Sequence, residues 1–173
     1  MAYVAGQMAV VVAVPPAEAV VQPWWGEFDE AARYGVPPHV TVLFPFLPAG
    51  EVSDGVLGAL AAIAAAEPAF EVVFASCARF PGALYLRPEP EAPFRRLTAA
   101  VVARWPQAPP YGGEFEPVPH LTVAYTVGSE RFDEIEADVG SRLPLRVKVS
   151  ELQLLAFDGA RWARRQAVPL GGG

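Results

Sequence analysis

One five-residue pattern occurs twice in this chain and limits the possible folds more than any other feature. Residues 38–42 read Pro-His-Val-Thr-Val, and residues 119–123 read Pro-His-Leu-Thr-Val. The two copies are 81 positions apart (120 − 39), and they contain His39 and His120, the only two histidines of the sequence. Such a repeat indicates internal duplication of one structural and chemical unit.

Each copy of the motif is typical of a β-strand, because Val40, Val42, Leu121 and Val123 are good strand formers. Alternate side chains of a strand point to opposite faces. The His and Thr of each motif therefore share one face, and the aliphatic residues share the other. A two-fold relation would bring the two motif strands to equivalent places. We therefore predict a cleft with one His and one Thr on each wall.

The order of elements predicts an α+β fold. Each half of the chain runs helix, motif strand, helix, strand. We predict one domain over residues 1–173 with two pseudo-symmetric lobes, two mostly antiparallel sheets flanked by helices, and the active-site cleft between the lobes. Predicted helices cover residues 24–34, 53–66, 90–105 and 129–143. Predicted strands cover residues 7–14, 39–46, 70–80, 83–87, 120–127, 145–149, 152–157 and 161–168, with a loop at 106–119 and a frayed tail at 171–173.

The composition limits the kinds of partner and the environment that the chain can have. Hydrophobic residues make up 53% of the sequence, which argues against disorder, and the net charge of −6 excludes an extended nucleic-acid-binding surface. No apolar stretch is long enough to cross a membrane. Cys77 is the single cysteine, so no internal disulfide can form and a reducing compartment is favoured. We expect a cytoplasmic protein that acts as a monomer.

Two opposed imidazoles are suited to paired acid–base catalysis, since the ordinary pKa of histidine lies near 6.5. One ring can take a proton from a nucleophile while the other gives one to a leaving group. The threonine hydroxyls can donate to the oxygens of a tetrahedral anion held between them. A metal site is less favoured, because neither motif adds a carboxylate or a thiolate. A Ser-His-Asp hydrolase would need a Gly-x-Ser-x-Gly turn, which the sequence lacks.

The two motifs resemble the signature motifs of the two-histidine (2H) phosphoesterase superfamily. The similarity is strongest to its bacterial 2′-5′ RNA ligase-like branch, which includes RNA 2′,3′-cyclic phosphodiesterases. It covers nearly the whole chain, extending to the opening strand, the Phe80-Pro81-Gly82 turn, the strand Leu84-Tyr85-Leu86, the loop before His120 and the closing hairpin with Trp162.

This resemblance implies that His39 and His120 are the catalytic acid and base, and that Thr41 and Thr122 bind phosphate. It implies opening of a 2′,3′-cyclic phosphate, or of a related 2′-5′ phosphodiester, in a small nucleotide or an RNA end, without a metal or another cofactor. Many RNA-processing members carry Arg shortly after the second motif, where this chain has Tyr125. The natural substrate therefore stays open, and so does the assignment of acid and base.

Other residues are candidates for lining the cleft. Tyr85 and Arg87 share a strand face, and either a cleft wall or an exposed edge would suit them. Trp25 or Trp162 could lie near the cleft mouth, although buried aromatics are the commoner case. Tyr125 lies at an odd offset from His120, so an undistorted strand would place it on the core face. We expect it to be structural unless a bulge turns it.

Two other functions remain compatible with the sequence. The cleft could hold a nucleotide or another phosphorylated ligand without catalysis, or it could hydrolyse a small phosphodiester that is not a nucleic acid. Two proton-transfer groups favour an enzyme over a binding module, because binding alone needs neither.

Overall fold

The computed structural model describes residues 3–172, so Met1, Ala2 and Gly173 lie outside the described part. Eight strands form one antiparallel sheet in the order β6-β3-β4-β5-β2-β1-β7-β8. Together with several helices this confirms the predicted α+β class. The strands are β1 Met8–Ala13, β2 His39–Leu43, β3 Phe70–Phe80, β4 Ala83–Glu89, β5 Leu121–Tyr125, β6 Leu145–Val149, β7 Glu151–Phe157 and β8 Trp162–Pro169.

The sheet has two four-stranded halves that meet at its centre. One half contains β6, β3, β4 and β5, and the other contains β2, β1, β7 and β8. The two motif strands, β2 and β5, join the halves through the pair Val40–Leu121. We predicted two sheets, and the structure corrects this to the two halves of one sheet, because the motif strands bond to each other across the centre.

Six α-helices accompany the sheet in the described part of the chain. They are α1 Glu18–Val21, α2 Trp24–Phe28, α3 Glu30–Arg33, α4 Asp54–Ala66, α5 Ala92–Arg104 and α6 Ser129–Gly140; short 3₁₀ turns occupy Pro15–Ala17, Ala49–Glu51 and Pro110–Gly113. No helix within residues 3–172 has the length and apolar character that a bilayer span requires.

The prediction of one helix over residues 24–34 is wrong. Asp29 has extended backbone angles (φ −110°, ψ 118°) and separates α2 from α3. Its carboxylate accepts a hydrogen bond of 2.8 Å from the backbone N–H of Ala31, as a residue preceding a helix commonly does. The side chain therefore begins a new helix at the position where the apolar periodicity suggested continuation.

Apolar residues are buried on both faces of the central strand β1. Met8, Val10 and Val12 lie in the main core, which also holds the inward faces of α4, α5 and α6. Ala9 and Val11 lie in a smaller cluster on the opposite face. The apolar run in this part of the sequence thus forms a strand covered on both sides, which is why it shows no alternation.

The predicted frayed tail is wrong for Gly171. Its N–H donates to the Glu67 carbonyl, and its carbonyl accepts from the N–H of Ala69, both at 2.8 Å. A Cβ at this position would lie 2.1 Å from the Ala65 carbonyl oxygen, so the close approach requires glycine. The last part of the prediction, Gly173, lies outside the described residues.

Candidate active site

The four motif side chains lie on one face at the centre of the sheet. Val40 and Leu121 are paired and fully buried in the main core, so the flanking side chains of both strands point to the opposite face. These flanking residues are His39, Thr41, His120 and Thr122, and all four are half-buried. The two strands are antiparallel and pair at Val40 and Leu121. His39 is therefore nearest to Thr122 across the strands, and Thr41 is nearest to His120.

This arrangement places the two histidines diagonally across the central pair. Diagonal neighbours on adjacent antiparallel strands have Cα atoms roughly 7–8 Å apart. His39 and His120 stand in that relationship to each other across the central pair. We call the space bounded by these four side chains the central groove.

Both histidine rings are fixed by the same backbone contact. Nδ1 of His39 lies 2.8 Å from the carbonyl oxygen of Pro37, and Nδ1 of His120 lies 2.6 Å from that of Val118. A carbonyl oxygen can only accept, so each Nδ1 carries the hydrogen and donates it. Each Nε2 is therefore left free to exchange a proton with a ligand.

The environment favours the neutral form of both rings. Burial lowers the pKa of His39 below 6.5, and the bond to the Pro37 carbonyl opposes that effect only in part. Burial also lowers the pKa of His120, and the charge of His39 lowers it further. The two imidazoles therefore lie close enough for the charge of His39 to act on His120.

Both motif strands carry a β-bulge at the same place. On β2, Thr41 faces Val11 and Leu43 faces Val10, so Val42 is an extra residue. On β5, Thr122 faces Tyr85 and Ala124 faces Leu84, so Val123 is the extra residue. The bulges are 81 positions apart (123 − 42), as the histidines are. A bulge shifts the alternation of side chains by one residue.

The bulge turns Tyr125 toward the central groove. We predicted Tyr125 on the core face unless a bulge turned it, and the bulge at Val123 is that exception. Its side chain is 42% exposed, and the Thr122 hydroxyl donates to its phenolic oxygen at 3.2 Å. The equivalent position after the first motif is Phe44 (125 − 81), which has no hydroxyl.

A second tyrosine reaches the other threonine from a different part of the chain. Tyr111 lies in the loop before the second motif, and the side chain of Thr41 lies near enough to its phenol to lower the pKa of that group. Its backbone N–H donates to the carbonyl oxygen of Phe44 at 2.7 Å. The φ angle of Tyr111 is 51°, in the left-handed region that residues other than glycine rarely occupy. Each threonine of the groove thus lies beside a tyrosine.

The comparisons with known proteins agree with this geometry. A model of the 2′-5′ RNA ligase superfamily, a family of 2H phosphoesterases, matches residues 13–161. The chain belongs to this superfamily. No match is found among the curated proteins.

Solved structures show the same fold as this superfamily member. E. coli LigT complexed with NADP⁺ has a TM-score of 0.58 at 18% identity, covering 98% of this chain and 99% of LigT. E. coli LigT complexed with 3′-AMP has a TM-score of 0.58 at 16% identity, covering 96% and 98%. TT0787 of Thermus thermophilus has a TM-score of 0.52 at 18% identity, covering 96% and 100%.

One side of the groove of this superfamily member is lined by aromatic rings. The centroids of Tyr85 and Phe80 lie 5.6 Å and 5.2 Å from that of His120, and the two aromatic rings stack on each other at 4.2 Å. Tyr85, predicted as a cleft residue, is therefore in contact with the second histidine. In the sequence, Phe80 stood out only as part of the Phe80-Pro81-Gly82 turn, which gave no indication of its contact with His120.

The side chains of the other predicted cleft residues make their contacts outside the groove. Arg87 follows the pair Leu86–Leu121, so its backbone lies beside His120, but its exposed side chain is bonded to Glu91 at 3.3 Å. Trp25 and Trp162 are only 7% and 5% exposed and pack in the main core and the smaller cluster. Neither indole ring is open to the cleft mouth, contrary to the expectation for one of them, since core packing covers both.

A cavity of about 310 Å³ adjoins the groove of this 2H phosphoesterase on the Thr41 side. It lies between β2, α5 and the loop before the second motif. Its lining includes Thr41, Phe44, Arg95, Thr98, Val102 and Tyr111. Thr41 lines this cavity and also bounds the central groove.

Across residues 3–172, no group of three His, Cys, Asp or Glu side chains is arranged to hold a metal ion.

Proposed function

We propose that this chain is a metal-independent phosphodiesterase that opens a 2′,3′-cyclic phosphate, or a related 2′-5′ phosphodiester, of nucleotides or RNA ends. In this proposal His39 and His120 act as the acid–base pair, and Thr41 and Thr122 bind the phosphate. The observation that carries the proposal is the matched pair of imidazoles, each with Nδ1 bonded to a carbonyl and Nε2 free at the same groove. Membership in a superfamily of phosphoesterases supports it.

The reaction uses one neutral and one protonated ring. The neutral Nε2 takes a proton from water as the water oxygen forms a bond to phosphorus. The bond from phosphorus to one ribose oxygen breaks, and the imidazolium of the second ring gives its proton to that oxygen. The product is a phosphomonoester with a free ribose hydroxyl. The rings have then exchanged protonation states, and proton exchange with solvent restores them.

We place the nucleoside of the substrate in the cavity beside Thr41. Its volume of about 310 Å³ is at the lower end of the range for small-molecule pockets, which suits a single nucleoside. The walls are mostly apolar, and Arg95 and Glu116 supply charged groups. E. coli LigT has been crystallised with ligands of this kind, including 3′-AMP, ATP and NADP⁺.

Hydrolysis of a small phosphodiester that is not a nucleic acid is a second candidate. The net charge of −6 favours a compact substrate over a long RNA, because an acidic surface repels a polyanion. Tyr125, at the place where many RNA-processing members carry Arg, also favours a substrate with less negative charge.

The test is turnover of 2′,3′-cyclic mononucleotides with a chelator present. We expect hydrolysis to a nucleoside monophosphate at an unchanged rate after metal removal. A strict requirement for added metal would overturn the proposed mechanism. Tight binding of nucleoside monophosphates without turnover of any cyclic phosphate would identify a binding module instead. Comparing cyclic mononucleotides with short RNA ends and with cyclic phosphates that lack a nucleoside separates the two candidate substrate classes.

A further inference from the structure

We propose that Tyr111 and Tyr125 are further phosphate-binding residues, which act with Thr41 and Thr122 as two threonine–tyrosine pairs around one phosphate. The inference rests on the proposed function in that it places the phosphate of the substrate in the central groove. It extends that function by assigning the groove two donors that the family motifs do not contain.

The first argument is the hydrogen count of each pair. A threonine hydroxyl and a phenol carry one hydrogen each, and both oxygens can also accept. Thr122 gives its hydrogen to Tyr125 at 3.2 Å, and the side chain of Thr41 acts on the phenol of Tyr111 in the same sense, lowering its pKa as a hydroxyl donor does. One hydrogen is used within each pair, so one remains for a ligand. The groove therefore offers two hydroxyl hydrogens, which matches the two non-bridging oxygens of a phosphodiester.

The second argument is convergence. The repeated motif and its repeated bulge would place equivalent residues at Phe44 and Tyr125, but only Tyr125 has a hydroxyl. In the other half, the hydroxyl comes from Tyr111, which lies 67 residues after Phe44 in the chain (111 − 44). Two different routes thus deliver a phenol to the equivalent threonine. This convergence indicates that the phenolic oxygen itself is required at both places.

The third argument is the conformation needed to bring Tyr111 there. A non-glycine residue with φ of 51° is energetically unfavourable, and such residues concentrate at functional sites. The bond from its N–H to the Phe44 carbonyl holds this conformation. Tyr125 is also one of only three large hydrophobic residues classed as exposed in the described chain. Core packing therefore does not explain the position of Tyr125.

The two phenols stay neutral where the histidines titrate. Burial raises the pKa of Tyr111 to about 12, and the nearby charge of Tyr125 acts in the same direction. Burial also raises the pKa of Tyr125. Both hydroxyls therefore keep their hydrogens at the pH values where one imidazole is charged and the other neutral. They can donate to a phosphate throughout that range and take no part in proton transfer.

The experiment compares Tyr111→Phe, Tyr125→Phe and the double variant with wild type. Affinity for inorganic phosphate is measured by calorimetry, and kcat/KM is measured for 2′,3′-cyclic AMP as a function of pH. Tyr34→Phe is the matched control, because it removes a phenolic oxygen from a cluster with Tyr3 and Phe157 instead of from a threonine. Melting temperatures report whether each variant is folded.

We expect each single groove variant to weaken phosphate binding and to lower kcat/KM by about tenfold, as for loss of one hydrogen bond to a charged ligand. In the double variant, phosphate affinity and kcat/KM should each fall by about a hundredfold. The shape of the pH profile should not change, because the tyrosines move no proton, and Tyr34→Phe should match wild type. A purely structural role would instead lower the melting temperature and leave the phosphate affinity of the folded protein unchanged.

The two readouts separate this inference from the proposed function. If wild type hydrolyses cyclic AMP and both groove variants match it in rate and in phosphate affinity, the inference is wrong and the function stands. If wild type hydrolyses no cyclic phosphate, but both variants bind phosphate more weakly than wild type does, the inference stands and the function is wrong. Failure of wild type to bind phosphate at all would overturn the inference.

Discussion

Val40 lies opposite Leu121 at the centre of the sheet, and each of these residues directly follows one of the two histidines. Both side chains are fully buried on the core side. The same strand geometry that buries them turns His39 and His120 to the other face, where each ring keeps a free Nε2. The apolar half of the motif thus fixes the position of its polar half, and the pairing of two short strands brings two imidazoles to the same face of the sheet.

Replacement of either histidine tests the acid–base pair. We expect His39→Ala and His120→Ala each to lower kcat by about 10²–10⁴-fold, the usual contribution of a positioned acid or base. Wild type should show a bell-shaped pH dependence of kcat/KM, with one limb from each ring. Each variant should lose one limb, as measured with 2′,3′-cyclic AMP from pH 4 to 9.

The pH optimum of kcat/KM follows from the burial of the two histidine rings. Both pKa values are lowered, and the charge of His39 lowers that of His120 further. The state with one neutral and one protonated ring is therefore populated below pH 6.5, so we expect the optimum of kcat/KM on the acid side of that value. An optimum well above 6.5, or two intact limbs in either variant, would show that other groups transfer the protons.

The motif strands and the shared face of their His and Thr residues could be predicted, because alternation along a strand is a local property. The direction of Tyr125 could not be predicted from alternation alone, since it depends on the bulge at Val123. An aromatic residue three positions after each threonine, Phe44 and Tyr125, was a repeat signal that could have suggested a matched bulge. Tyr111 gave no such signal, because its contact with Thr41 depends on the path of a loop rich in proline and glycine.

Filling the cavity beside Thr41 tests where the nucleoside binds. Ala99 is exposed on α5 and lines this cavity, so Ala99→Trp should occupy space that the nucleoside needs. We expect KM for 2′,3′-cyclic AMP to rise by about tenfold, in keeping with loss of 1–3 kcal/mol of pocket contacts. Hydrolysis of ethylene phosphate, a cyclic phosphodiester without a nucleoside, should be unchanged. Steady-state kinetics with both substrates provide the measurement.

Ala100→Trp is the matched control for this change. Ala100 is the next residue of the same helix and is also exposed, but it does not line the cavity. Its replacement should leave both substrates unaffected. Equal effects of the two tryptophans, or an equal loss with both substrates in Ala99→Trp, would place the nucleoside elsewhere.

Asp29, between α2 and α3, makes the stability of the fold depend on pH. Its side chain is 3% exposed, and burial raises its pKa from 3.8 to about 6, although the N–H groups of Ala31 and Ala32 and the side chain of Trp25 favour the charged form. A carboxyl whose pKa is raised by folding stabilises the folded state fully below pH 3.8. That contribution is lost as the pH rises through about 6. A pKa difference of this size corresponds to about 3 kcal/mol.

The stability of the Asp29→Asn variant relative to wild type should therefore increase as the pH rises. Asparagine keeps an oxygen that can accept from the Ala31 N–H, and it removes the buried charge. We expect the free energy of unfolding of the variant, relative to wild type, to increase between about pH 4 and 6 and to level off above, as measured by urea denaturation at each pH. Asp54→Asn, at an exposed position in the first turn of α4, is the control and should show no comparable change. A stability difference that does not vary with pH would mean that Asp29 is ionised as readily in the folded chain as in the unfolded one, and that the capping hydrogen bonds fully offset its burial.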